Sequence, residues 1–457
     1  MIGLAIPSSQ SFGSGQVVLI MLFGDKSDVT KSMSKRVLIL QGPPSTFAKT
    51  LVRSFAARGI FALKVNFSVG DWLYFGSKGA TNYKGSLNAW PKYLEQLIED
   101  QQITDILYYA DRLPYHRAAQ TVAKKMGVQA ISYEFGYLRP DWIIVERGGQ
   151  SSYSYFPSDI SLIKKLAKTL PEPDVTLKYP YKFHVEATHE VIFNLSNFFL
   201  WPFFPRYQSD KYYNQLREFL GYIPRLIKAK RRGPAAQKAI ENLISAGTKY
   251  FLVPLQMQND YQIRSNSPYD RLHEFIEDVM ASFAEHAPQN TQLVIKKHPL
   301  DNGLEKWARV IQSLASKHQI TDRVQFLDGG DLNRLNKAAL GTIVVNSTVG
   351  LSALQLGCPV KALGVAVYDM DGVTFQGSLD AFWKNPMLVN KNNIDSLTKL
   401  LAHSIHEKGN FYTDKGRKAA AEGIVSRILE DRVNAGGYEL AQSRLKRAKA
   451  LGIAIDS

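Results

Sequence analysis

Four side chains with catalytic chemistry stand just past the ends of short apolar runs: Asp111 in YYADRLPYHR (108–117), Glu134 in SYEFGYLRP (132–140), Asp260 in LVPLQMQND (252–260) and His298 in VIKKHPLDNG (294–303). Glu134, enclosed by aromatic neighbours, has the setting that raises a carboxyl pKa toward the range of a general acid or base. Asp260 sits among amides that include Gln256, an arrangement suited to a ligand, although an aspartate after a strand also serves as a turn or helix cap. His298 follows Lys296 and Lys297, so an anion is expected there; a lone histidine is otherwise structural. Arg112, His116, Arg117 and Arg139 offer positive charge to a carboxylate or phosphate, with surface ion pairing as the plainer reading for any one of them. Asn346, Ser347 and Thr348 close an apolar run just before a helix that contains Gly350. Free N–H groups at that terminus suit a phosphate, and the glycine admits close approach; an ordinary Ser/Thr cap fits the same letters.

The elements that must hold these residues read as α/β. Short apolar runs alternate with amphipathic segments, the pattern of parallel strands joined by crossover helices. Strands are expected at 36–40, 61–67, 105–110 and 129–135, and again at 250–256, 292–298, 324–328 and 341–346. The helical stretches FAKTLVRSFAARG and HRAAQTVAKKMG each close on a glycine, as a helix C-terminus does. Two such series predict a GT-B-like fold, two Rossmann-like domains facing a central cleft with additional helices. The expected organisation is a disordered or over-called extension at 1–33, an N-terminal Rossmann-like domain at 34–180 and an aromatic and basic connector at 181–245. A C-terminal nucleotide-sugar-binding Rossmann-like domain follows at 246–400, and a basic helical tail at 401–457 whose default is a solvated face.

A chain of 457 residues with 45% hydrophobic and 21% charged residues exceeds what one core organises. Its formal charge of +15 implies an anionic partner: nucleic acid, a phosphorylated small molecule or an acidic membrane. One cysteine, Cys358, excludes an internal disulfide and a cysteine-based zinc cluster, and suits a reducing compartment, with the cytoplasm as default. The run VVLIMLF (17–23) is far short of a bilayer span and lacks the flanks of a signal peptide. No nucleic-acid motif appears, and neither DMD (369–371) nor RGG (147–149) is long enough to argue a metal or RNA site. In the connector, clustered aromatics followed by Arg and Lys read either as a helical core filler or as a membrane-surface element.

Ten blocks then occur in order from residue 37 to about 384: LILQGPP, VNFSVGDW, YKGSLNAWPKYLE, RLPYHR, YEFGYLRPDWI, VPLQ with ND, IKKHPLDNG, VVNSTVGLSAL, CPVKALGVAVYD and LDAFW. Together they resemble KpsS-type capsular polysaccharide proteins. The resemblance implies a retaining GT-B β-Kdo transferase at the cytoplasmic face of the inner membrane. Such an enzyme uses CMP-β-Kdo to place the first Kdo on phosphatidylglycerol, and a second Kdo transferase extends the linker. It also implies Asp260 as nucleophile, Glu134 as the base for the acceptor and His298 on the departing phosphate. The family's NST block falls on Asn346, Ser347 and Thr348, which with Gly350, Gln256, Lys296 and Lys297 are the expected donor contacts, and no metal is expected. The family's acidic pair before GYLRP is half kept, with Phe135 at its second position, and Asp111 matches the acid before the PYHR block. A GT-B enzyme using a UDP-sugar and a non-catalytic assembly or export factor are the alternatives.

Overall fold

The computed structural model describes residues 35–210, 212–213, 218, 221, 233–434 and 442–455. The expectations for residues 1–33 and for most of the basic half of the connector fall outside that set. Two sheets organise the described chain. The first has seven strands, in the spatial order β12 (His406–Lys408), β6 (Trp142–Arg147), β5 (Gln129–Phe135), β4 (Asp105–Tyr109), β1 (Arg36–Ile39), β2 (Phe61–Asn66) and β3 (Ala80–Asn82), and the second five, in the order β11 (Val360–Ala362), β10 (Gly341–Val344), β7 (Tyr250–Pro254), β8 (Gln292–Lys296) and β9 (Val324–Leu327).

In the first sheet β1 (Arg36–Ile39), β2 (Phe61–Asn66), β3 (Ala80–Asn82), β4 (Asp105–Tyr109) and β5 (Gln129–Phe135) run parallel. The second is parallel throughout: β7 (Tyr250–Pro254), β8 (Gln292–Lys296), β9 (Val324–Leu327), β10 (Gly341–Val344) and β11 (Val360–Ala362). All eight expected strands are present, and the paired sheets give the GT-B-like architecture of two Rossmann-like domains. The two glycine stops also hold: Gly59 and Gly127 take φ of 72° and 69°, left-handed values that a Cβ disfavours.

Four strands lie outside the expected set: β3, β6 (Trp142–Arg147), β11 and β12 (His406–Lys408). Two of these depart from a purely parallel sheet, since β6 runs antiparallel to β5 and β12 antiparallel to β6. Only six residues separate β5 from β6, too few for the crossover a parallel partner needs, so the chain turns straight back.

β12 also corrects the expected C-terminal tail. Residues 406–408 join the N-terminal sheet, and the Asp414–Leu429 helix packs on the Phe47–Ala57 helix. Its Ala420, Ala421, Ile424 and Val425 are buried with Val37, Phe47 and Leu51. The last helix, Gln442–Ala450, is not a solvated face: Arg444 is buried and donates to the carbonyls of Phe156, Pro157 and Val367. One apolar cluster draws on both halves, joining Leu138, Trp142 and Ile144 to Val344, Leu351 and Leu354.

Candidate active site at the ends of two sheets

β4 and β5 pair in parallel with Tyr109 opposite Tyr133, so that Asp111, just past β4, and Glu134, the next-to-last residue of β5, come to one edge. From the other sheet, β7 runs into a turn and then the short Tyr261–Asn266 helix, with Asp260 as its N-cap. The Asp260 carboxylate accepts from Gln262 N–H at 3.0 Å and from Gln256 Nε2 at 3.1 Å. Tyr261 then reaches across to the first sheet. Its hydroxyl donates to Glu134 at 2.6 Å and lies 3.5 Å from Asp111, while Gln262 Nε2 donates to it at 2.9 Å. Two carboxylates of the first sheet thus meet one phenol from the other half, and Asp260, the residue before that phenol, is near enough for its charge to act on Glu134.

Burial dominates their electrostatics. It pushes Glu134 up to about 8, with the negative charges of Asp111 and Asp260 adding to the rise; the Tyr261 hydrogen bond and Arg139 oppose it. Burial also raises Asp260 and Asp111, the former restrained by Gln256, the Gln262 N–H and the charges of Arg264 and Arg139, the latter chiefly by Arg112. At neutral pH Glu134 is therefore mostly a neutral acid that recovers its proton readily, the character of a general acid or base.

The loop after β6 is the joint between the halves. Gln150 N–H donates to Asp111 at 2.9 Å, Ser151 Oγ to Gln262 Oε1 at 3.0 Å, and Ser152 N–H to Asn266 Oδ1 at 3.1 Å. The glycine pair of RGG serves this loop: at Gly149, where φ is 130°, a Cβ would stand 2.7 Å from an Asp111 oxygen. DMD is likewise structural, since Asp369 accepts from Thr374 at 2.6 Å and pairs with Arg447 at 2.7 Å.

The other expected site residues separate into those at the cleft edge and those below it. His298 stands at the end of β8, one strand from β7, and its Nδ1 accepts the Leu300 N–H at 3.1 Å, which puts the neutral ring's proton on Nε2. Arg139 is exposed, lies 5.1 Å from the Phe135 ring, and its charge reaches both Glu134 and Asp260. Arg117 is exposed on the Pro114–Met126 helix. His116 is corrected as a source of positive charge. It is fully buried, hydrogen-bonded at Nδ1 to Ala110 O at 2.9 Å, and burial lowers it to about 4, so it is neutral at pH 7. Arg112 is also buried, 3.4 Å from Asp111 and stacked 3.9 Å over Tyr153; it holds Asp111 in place.

Among the expected donor contacts, the amides act as struts. Gln256 Nε2 donates to Asn346 Oδ1 at 3.0 Å, and Asn346 Nδ2 donates to the carbonyls of Gln262 at 2.8 Å and Asn266 at 3.3 Å. Ser347 caps the Thr348–Gln355 helix through Val349 N–H. The glycine at 350 has a packing cause, for a Cβ there would overlap Tyr368, whose hydroxyl donates to Ser347 O. Lys297 pairs with Asp328 at 2.5 Å, and Lys296 is buried, which lowers its pKa. Phe135 faces away from Glu134 and packs 5.0 Å from Phe411, so an acid at that position would point into an aromatic cluster.

Tyr261 and Glu146 also contribute, with little in the sequence to mark them. Tyr261 follows Asp260 directly, and its only signal was that adjacency at a helix start. Glu146 is wholly buried, accepts from Ser154 Oγ and is pushed up to about 8 by burial.

Residues 104–412 match the family described as capsule polysaccharide biosynthesis protein. The chain belongs to that family. Among its relatives, the Escherichia coli capsule polysaccharide export protein KpsS is 31% identical over 77% of this chain and 90% of its own length. The capsule polysaccharide modification protein LipB of Neisseria meningitidis is 28% identical over 83% of this chain and 92% of its own. A solved structure of the Thermosulfurimonas dismutans β-Kdo 2,7-transferase KpsC aligns over 87% of this chain and all of its own, at 15% identity and a TM-score of 0.41.

Proposed function

We propose that this family member is a retaining β-Kdo glycosyltransferase that moves Kdo from CMP-β-Kdo to phosphatidylglycerol, beginning the linker of a capsular polysaccharide. The reading is carried by Tyr261 of one half reaching Glu134 and Asp111 of the other, beside Asp260, in a chain of a capsule biosynthesis family. In the proposed reaction Asp260 attacks C2 of Kdo and the C2–O bond to CMP breaks, its electron pair leaving with the phosphate. The acceptor hydroxyl then attacks C2 from the vacated face and displaces Asp260, while its proton passes to Glu134. Asp260 is the better nucleophile because its donors stabilise the anion, whereas Glu134, raised to about 8, takes the acceptor's proton in its ionised form and binds it more tightly than an ordinary carboxylate would.

His298 and Arg139 are proposed to meet the donor's phosphate and carboxylate. CMP departs readily enough that no metal is required. Work on a lipid places the enzyme peripherally on the cytoplasmic face of the inner membrane, alongside a second Kdo transferase that extends the product. The test is intact-protein mass spectrometry after mixing with freshly made CMP-Kdo. A Kdo-sized increase in the native protein and none in Asp260→Ala supports the reading. Kdo transfer without an adduct removes the covalent mechanism, and neither adduct nor transfer removes the donor.

A further inference from the structure

Nine of the fourteen large hydrophobic side chains exposed among the described residues belong to two packed helices and the turn that follows them, so the exposure is concentrated rather than scattered. On the Phe183–Phe199 helix, Val191, Ile192, Phe198 and Phe199 recur at helical spacing along one face. The chain continues outward through Leu200, Trp201 and Phe203, and the Val69–Phe75 helix adds Trp72 and Leu73.

The inner faces of the helices are fully used. Gly70 lies against the Phe193 ring so closely that a Cβ would overlap it, and its N–H donates to Asn197 Oδ1 at 2.7 Å. Tyr74 Oη meets His189 Nδ1 at 2.8 Å. The exposed residues are thus the side left over after packing. Phe199, Trp201 and Phe203 are 66%, 59% and 63% exposed, too open to be the margin of a core.

We infer that this two-helix face seats on an anionic phospholipid surface. Trp is suited to the headgroup boundary, where it buries its ring and keeps its N–H wet, and Phe, Leu and Ile beside it supply the apolar face that enters the acyl boundary. Charge selects the kind of surface: exposed Lys78 follows the Val69–Phe75 helix, exposed Lys84 lies 5.8 Å from the Phe204 ring, and exposed Arg206 follows the aromatic turn. No helix among the described residues is long and apolar enough to cross a membrane, so the contact is one of lying on the surface. The inference deepens the proposed function and rests on it in one respect, that the acceptor is a lipid.

The experiment is co-sedimentation of the full chain with phosphatidylcholine vesicles, with and without phosphatidylglycerol, for the native protein, Trp201→Ser/Phe203→Ser, Trp72→Ser and, as a control outside the face, Leu388→Ser. Expected is binding that needs phosphatidylglycerol, weakens with salt, falls at least tenfold in the first two variants and is unchanged in the control, with all four melting alike. Transfer to a detergent-dispersed acceptor should stay native in every variant. Variants that sediment like the native protein overturn the inference, and so does a native protein that ignores vesicles but self-associates through this face. Vesicle binding without Kdo transfer to any acceptor would leave the membrane face standing and remove the enzymatic reading.

Discussion

Glu134 and Asp260 are both carboxylates held up by burial, yet their neighbours differ in kind. Both feel the charge of Arg139, but Glu134 otherwise has one phenol donor and two nearby anions, whereas Asp260 has an amide, a backbone N–H and the charge of Arg264. If Glu134 is the base, kcat/KM should rise with pH to a plateau with an apparent pKa of about 8. Glu134→Gln should abolish that limb and lower kcat about a hundredfold or more, and a profile flat between neutral and alkaline pH would exclude the role. The same group makes a stability prediction. Its folded pKa lies above the unfolded 4.5, so the folded state binds the proton more tightly, and stability is fullest below 4.5 and falls as pH climbs to about 8. Glu134→Gln should therefore raise the melting temperature increasingly across that window, which thermal scans at several pH values will read. Asp260→Asn keeps the shape but not the charge; it should lose the adduct while still capping its helix.

The elements carrying these residues were legible because each ends an apolar run whose neighbours alternate with helices. The amides were not. Gln256 and Asn346 read as ligand contacts since an amide beside a strand end suits either purpose, and only the fold reveals that they tie β7, β10 and the Tyr261–Asn266 helix together. His116 and Arg112 misled for a related reason: letters give charge, while burial decides whether that charge reaches the solvent. The strut role has a distinct signature. Asn346→Ala leaves two carbonyls and Gln256 without their partner, a cost of about 1–3 kcal/mol, so the protein should melt earlier and turn over more slowly. CMP affinity by calorimetry should stay close to native; a tenfold weaker CMP would return Asn346 to the donor site.

At the scale of the molecule, the chain crosses between its halves more than once, and those crossings hold the site in register. The expected boundary at 400 failed because β12 has only three residues, too short to stand out as a strand, and because its partner β6 had itself been overlooked. His406 on that strand is lowered to about 3 by burial, and its ring lies between the Leu401 carbonyl and the Tyr137 N–H at 2.8 and 2.9 Å. Arg444 makes the same kind of link from the last helix: it donates to Phe156 and Pro157 on one side and Val367 on the other, and its charge also tempers Glu146. Arg444→Met would leave three buried carbonyls without their donor and remove a charge that tempers Glu146, a loss of about 1–3 kcal/mol on the scale of buried groups left unsatisfied. Because Glu146 couples to Asp111, the loss should reach the site as well as the fold. Denaturant unfolding should show the fall in stability, and the adduct yield with CMP-Kdo should drop even at temperatures where the variant remains folded. A variant that is less stable but forms adduct at the native level would confine Arg444 to holding the fold.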